Sequence, residues 1–384
     1  MHKFTKGYIV FILLTIATTI ISCKPKDTTQ SNENVISTNG DIRYAKGFQI
    51  IDFDNYTKVI INNPWANDKS KPFSTYYLYK EESDDIPTDG GTPIKVPIQS
   101  VIVNTFSYFE FLKQLDELDK VVATTDVARI YNPTILNNIA NGTIADLGDP
   151  FNPNIEKTLM LKADAVINSA YVQQDSFSER VQKTGLPVIY SLEWMETSPL
   201  ARAEWIKLIA EFVDKRGKAS SLFDDIENRY NDYIDIAKGI KEKPTILSGD
   251  NFQDTWYVPG GDSFNAHYFN DAGANYYYKN DKTNGSIGLD IESILVQFGD
   301  ADVWINCEAN SYTELINKDR KYNLLKAVKN KRVFNNRNRT TATGGNDYFE
   351  SAIANPDLIL RDIIKALHPD MFQDYQFTYL KPLK

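Results

Sequence analysis

Asn154-Ile155-Glu156-Lys157-Thr158-Leu159, followed by Lys162-Ala163-Asp164-Ala165-Val166-Ile167, returns later in the chain as Asp290-Ile291-Glu292-Ser293-Ile294-Leu295 followed by Asp300-Ala301-Asp302-Val303-Trp304-Ile305. Each copy reads as a short helix with a glutamate in its first turn, leading into a strand apolar enough to be buried. A carboxylate at that position is favoured by the positive end of the helix dipole, by about 0.3–1 kcal/mol. Capping is therefore one explanation of Glu156 and Glu292; the other is that both face the same way and act together on a partner. Two copies of one helix-to-strand unit imply two α/β halves built on a shared plan.

Around the first copy, the runs at 101–103, 121–123, 165–167 and 188–190 suit strands buried on both faces, with helical spacing at 106–118, 155–161 and 177–183. Strand, crossover helix, parallel strand is the pattern of a three-layer α/β lobe, in which ligands sit beyond the carboxyl ends of the strands. Around the second copy, strands are expected at 245–247, 302–305 and 332–334. Helices are expected at 262–272, 291–298, 322–328 and 356–367, the last with Asn355 as N-cap and Pro356 in its first turn. Between the halves the period is helical. Trp205, Leu208, Ile209, Phe212 and Val213 form one stripe, and after Gly217 Leu222, Phe223, Ile226, Tyr230, Tyr233 and Ile234 form another. A helix over 218–238 would be about 31 Å long, stopped by Gly239 and Pro244. Spacing alone leaves open whether it is one more crossover helix of the first half. Upstream, 47–79 is strand-like and 81–93 is an acidic, Gly- and Pro-containing surface loop.

The 384 residues carry 42 Lys+Arg against 51 Asp+Glu, a net charge of −9; without Lys3 and Lys6, the only charged side chains of the first 22 residues, it is −11. That acidity excludes a nucleic-acid partner. A composition 42% hydrophobic and 24% charged is that of a folded protein, and the length suits two or three domains. The uncharged stretch 9–21 has the length of an export h-region and falls short of the ~20 residues that span a bilayer. It ends in Ile20-Ile21-Ser22-Cys23, which resembles a bacterial lipobox. The resemblance implies removal of 1–22 and lipid on Cys23, with 23–39 as a lipidated, polar tether. Of the two cysteines, Cys307 follows the strand Val303-Trp304-Ile305 and is expected to be a small buried residue. Three histidines, at 2, 267 and 368, are too scattered for a His-rich metal set. Tyrosine, at 22 residues, is in excess.

From about Pro97 onward the chain resembles the substrate-binding proteins of ATP-binding cassette importers for iron-siderophores, haem and cobalamin, the class whose two lobes share one long helix. The resemblance lies in both copies above and in Pro199-Leu200-Ala201-Arg202-Ala203-Glu204-Trp205-Ile206-Lys207. It continues in Val258-Pro259-Gly260-Gly261-Asp262-Ser263, Asp271-Ala272-Gly273, and Gly344-Gly345-Asn346-Asp347-Tyr348-Phe349-Glu350 with His368-Pro369. It implies α/β lobes with mostly parallel sheets at 40–217 and 241–384, an inter-lobe helix at 218–240, and Glu156 and Glu292 as carboxylates gripped by permease arginines. The expected ligand is a metal chelate: a ferric siderophore first, cobalamin or haem next. The expected partners are an inner-membrane permease and its ATPase subunit, the protein being a monomeric, exported lipoprotein facing the periplasm or the outer cell surface. No intrinsic cofactor, metal or catalytic residue is implied. The segment 40–93 is longer than the family's usual N-terminal strands.

Loops after the expected strands supply cleft candidates: Thr105, Phe106, Tyr108, Arg129, Tyr131, Tyr171 and Trp194 in the first half, with Glu193 and Met195 beside them. The second half supplies Trp256, Tyr257, Asn306, Arg337, Arg339 and Tyr348, with Glu308. Aromatic walls suit a flat, bulky chelate, and arginines suit its carboxylates or other anionic groups. Pro259-Gly260-Gly261 and Gly344-Gly345 read as tight turns at helix starts, where glycine tolerates positive φ, or as backbone N–H groups that touch a ligand. Among rivals, a surface-exposed chelate scavenger would share the fold without needing the two glutamates. A carboxylate-dependent hydrolase stays open as a pattern, although G-x-S-x-G, H-E-x-x-H and a P-loop are all absent.

Overall fold

The computed structural model describes residues 35–384 apart from 40, 69, 173 and 174. The export signal expected at 1–22 and the lipidation expected on Cys23 lie outside the described residues. The chain opens with a five-stranded sheet in sequential order: β1 (Val35–Thr38), β2 (Phe48–Phe53), β3 (Thr57–Asn62), β4 (Pro72–Tyr79) and β5 (Thr92–Lys95), antiparallel except for the last pair. β1 corrects the expectation of a tether reaching to 39, because Val35 and Ile36 begin an edge strand paired with β2. This sheet is fastened to the next layer by hydrogen bonds between residues far apart in the sequence. The Tyr76 hydroxyl donates to the carbonyl of Val188 (2.9 Å) and accepts from the N–H of Tyr190 (2.9 Å), closing the open edge of the strand that carries them. The fully buried Glu204 carboxylate accepts the backbone N–H groups of Arg43, Tyr44 and Ala45 at 2.7–2.8 Å. Glu196 accepts those of Lys46 and Gly47 and the indole N–H of Trp205.

The first lobe proper has a parallel sheet ordered β10-β9-β6-β7-β8: β6 (Val101–Val103), β7 (Val121–Thr124), β8 (Ala145–Asp146), β9 (Ala165–Ser169) and β10 (Val188–Ser191). Its helices are α1 (Tyr108–Gln114), α2 (Pro133–Ala140), α3 (Ile155–Met160) and α4 (Ser176–Gln182). All residues of β6, β9 and β10 are buried, as continuous apolar runs between two helical layers require. The helical stretch expected before Gly217 is two helices, α5 (Pro199–Ala203) and α6 (Trp205–Val213), the second ended by Asp214 in left-handed backbone.

α7 runs Arg216–Lys238. Gly217 lies inside it, so the boundary expected between 217 and 218 moves back by two residues. At 1.5 Å per residue α7 is about 34 Å long. Its N-terminal half meets the first lobe through Phe223, under the Lys207 ammonium (4.6 Å), and Lys218 with Asp116. Its C-terminal half meets the second lobe through Arg229–Asp357 (2.6 Å) and the Tyr230 hydroxyl on Asp271 (2.7 Å).

The second lobe is smaller. β11 (Thr245–Ser248) lies between parallel strands β14 (Asn275–Tyr276) and β16 (Val303–Ile305), and a side sheet joins β12 (Asn251–Phe252), β13 (Thr255–Pro259) and β15 (Ser286–Leu289). Around them pack α8 (Phe264–Asp271), α9 (Ile291–Phe298), α10 (Tyr312–Lys318), α11 (Lys326–Lys329), α12 (Asp347–Glu350) and α13 (Pro356–Leu367), with the ribbon β17 (Phe334–Asn335) and β18 (Lys381–Pro382). Trp256, Trp304 and Tyr322 meet ring to ring at 4.9–5.7 Å in its core. The expected helix over 322–328 divides into a 3₁₀ turn at Arg320–Leu324 and α11, and the strand at 332–334 contributes only a bridge from Val333 to Trp304 before β17. Asn355 stands at the N-cap of α13 but does not cap it; its amide donates to the Ser351 carbonyl instead. Gly260, Gly261 and Gly345 have no positive φ. A Cβ there would lie 2.0–2.3 Å from the carbonyl oxygens of Thr283, Tyr278 and Ile130, so close backbone approach is what demands glycine; only Gly344 (φ 106°) matches the expected reason.

Candidate ligand cleft

The carboxyl ends of the first lobe's strands open onto a cavity of about 530 Å³, lined among others by Thr105, Phe106, Arg129, Tyr171, Glu193 and Trp194. The second lobe faces a cavity of about 480 Å³, lined by Tyr257, Asn306, Glu308, Arg337 and Tyr348. Arg202 of α5 and Phe349 of α12 line both, which makes the two cavities halves of one cleft.

Nine of the thirteen cleft candidates thus come together, and four do not. Tyr108 is wholly buried, its hydroxyl on Glu193 (3.2 Å), because it begins α1 on the face turned to the core. Trp256 is also wholly buried: in β13 alternate side chains face opposite ways, so Trp256 enters the core while Tyr257, 46% exposed, faces the cavity. The expected loop at 256–257 is this strand. Tyr131 and Arg339 belong to a seam between the lobes, with the Arg339 guanidinium 5.9 Å from the Tyr131 ring centre and 3.0 Å from Asp347. In the same seam Glu350 accepts the backbone N–H groups of Tyr131 (2.7 Å) and Asn132 (3.2 Å). Met195 faces a different groove, between the N-terminal sheet and residues 262 and 284.

The cleft also holds residues with no forecast from sequence. Phe151 is 79% exposed, Phe252 64% and Phe349 53%. Phe151 sits in Pro150-Phe151-Asn152-Pro153 and Phe252 at the hairpin joining β12 and β13; a lone aromatic in a polar turn was the available signal. Phe151, Tyr171 and Trp194 form a ladder with centroid spacings of 6.5 and 5.7 Å. Burial raises the pKa of Asp126, with Arg129 at 3.5 Å opposing it, and that of Asp250, which accepts the N–H groups of Asn251 and Glu308. Cys307 is buried as expected, its thiol pushed up to about 12 by desolvation.

The two glutamates of the repeated unit stand in equivalent settings. Asn154 accepts from the N–H of Lys157 to start α3, and Asp290 from that of Ser293 to start α9. Glu156 and Glu292 are the second residues of these helices, both exposed. One turn further on, each helix shows an apolar side chain to solvent, Met160 (80%) and Val296 (86%). Among the described residues, Glu292 of the two has an ion-pair partner, Lys321 at 2.7 Å, which holds its carboxyl below the usual range.

Residues 101–340 match the sequence profile of the periplasmic binding protein family. The chain belongs to that family. An uncharacterised lipoprotein of Methanocaldococcus jannaschii is 25% identical to this periplasmic binding protein over 397 residues, covering 94% of this chain and 92% of the relative. Solved structures share the fold. The haem-binding protein HutB of Vibrio cholerae superposes with a TM-score of 0.55 at 15% identity, over 71% of this chain and 99% of its own. The molybdate-binding protein MolA of Haemophilus influenzae superposes with a TM-score of 0.56 at 18% identity, over 73% and 89%. The family is one of solute-binding proteins and not a family of enzymes.

Proposed function

We propose that this periplasmic binding protein captures a metal chelate between its lobes and delivers it to an inner-membrane permease driven by an ATPase subunit, a ferric siderophore being the first candidate and cobalamin or haem the next. The observation that carries the reading is the set of exposed aromatics on one cleft: Phe151, Tyr171, Phe252, Tyr257 and Phe349, each 46–79% exposed. Apolar surface left in water forgoes about 25 cal/mol per Å² of burial, and a flat ligand with an organic face recovers it on both lobes at once. Each cavity has the volume usual for small-molecule sites. The names of fold neighbours support the same class: besides the haem binder, one is a possible iron-binding protein of Staphylococcus epidermidis and one a Fe3+-hydroxamate system of Saccharomonospora viridis.

In this reading a lipid on Cys23 holds the protein in the cell envelope, and Glu156 and Glu292 grip permease arginines, with Met160 and Val296 beside them. A helix joining the lobes resists large hinge motion, so loading is sensed through small changes in lobe separation. The test is titration of the chain from Lys24 onward with ferric siderophores, haem, cobalamin and molybdate, followed by absorption and tryptophan emission. Saturable binding of a chelate is expected; binding of molybdate alone, or of none of the four, sinks the proposal.

A further inference from the structure

Pro199-Leu200-Ala201-Arg202-Ala203-Glu204-Trp205-Ile206-Lys207 carries three charged side chains, and two have complete structural employment. Glu204 holds residues 43–45, and Lys207 pairs with Glu204 (3.0 Å) and Asp41 (3.1 Å). Arg202 points the other way. It is half-buried, lines both cavities, and lies with its guanidinium carbon 4.1 Å from the centre of the Phe264 ring. Among the described residues it makes no ion pair, and its buried Nε has no hydrogen-bond partner. The carboxylate of Glu193, in the same cavity, is occupied by the Ser191 and Tyr108 hydroxyls. Of the other cleft arginines, Arg129 faces Asp126 and both Arg129 and Arg337 are solvent-exposed. Arg202 is the cleft cation that is partly withdrawn from water without an anion.

We propose that Arg202 is the anion receptor at the junction of the lobes, so that the ligand carries a carboxylate, catecholate or oxoanion group seated on this guanidinium. The proposal rests on the cleft being the ligand site. A desolvated guanidinium with unused donors is costly, and an anion approaching from the cleft supplies the missing charge and hydrogen bonds together. Because Arg202 borders both half-cavities, an anion bound there touches both lobes, which couples recognition to lobe spacing.

The chain from Lys24, its Arg202→Gln variant and its Arg202→Lys variant are titrated with haem, an anionic ferric tricatecholate, citrate, molybdate and a neutral ferric trihydroxamate. Melting curves without ligand establish folding. Arg202→Gln should melt no lower than the parent, since it removes an unpaired charge, and should bind the preferred anionic probe at least tenfold more weakly, with Arg202→Lys between. Parent and Gln variant binding an anion equally, no anion binding at all, or only the neutral trihydroxamate binding, and equally to both, overturns the assignment. Citrate or molybdate bound through Arg202 with no chelate bound keeps the assignment and sinks the chelate reading instead. Should Arg202→Gln fail to fold, the Lys variant decides: unchanged affinity and selectivity among the anions would overturn the proposal, and a weakened anion would support it.

Discussion

Glu350 reaches from the second lobe to two backbone N–H groups of the first, and burial pushes its carboxyl up to about 7, with Asp347 and Glu110 adding to the rise and the two N–H groups opposing it. The folded state therefore keeps a proton that the unfolded chain releases near 4.5. Between those values stability falls as pH rises, and above pH 7 the loss, on the order of 3 kcal/mol, is complete. Glu350→Gln keeps an acceptor for both N–H groups and cannot ionise. It should match the parent near pH 5 and exceed it near pH 8 in urea melts; parallel profiles for the two proteins would remove Glu350 from the pH response. At this scale the sequence was legible where a residue's neighbours in the chain decide its setting, as for Cys307 behind its strand. It was silent for Glu350, whose partners lie over 200 positions away.

Elements were legible by period and by capping. α9 and α13 have the expected bounds, and the first turns of α3 and α9 hold the two glutamates as read from the repeat. What misled was glycine: Gly217 read as a break is the second residue of α7, with open space around the site of a Cβ, while Gly345, in the turn expected there, is required by close approach to the Ile130 carbonyl and not by positive φ. Gly217→Ala should therefore stabilise by about 0.5–1 kcal/mol. Gly345→Ala should destabilise by about 2 kcal/mol or more, because a Cβ 2.0 Å from a backbone carbonyl forces the seam apart. Denaturant midpoints at constant m-value test both; the same sign for the two would contradict this account of the seam.

For the whole molecule, the docking proposal separates capture from delivery. Glu156 and Glu292 lie outside both halves of the cleft, so Glu156→Ala with Glu292→Ala should change ligand affinity by no more than about twofold while uptake by cells falls to background. Uptake that survives the double substitution would exclude the docking role. The sequence by itself determined the doubled α/β plan, the long helix between the halves and the family, because periodicity and a repeated helix-to-strand unit are local properties of a chain. Only the tertiary structure decided which side chains face the cleft. Strand alternation turned Trp256 inward and Tyr257 outward, and the core face of α1 claimed Tyr108. Glu204 reaches back about 160 residues to fasten the N-terminal sheet, leaving Arg202 on the opposite side of the same short motif, facing both lobes. Contacts of that span are set by how layers stack, and no window of sequence contains both partners.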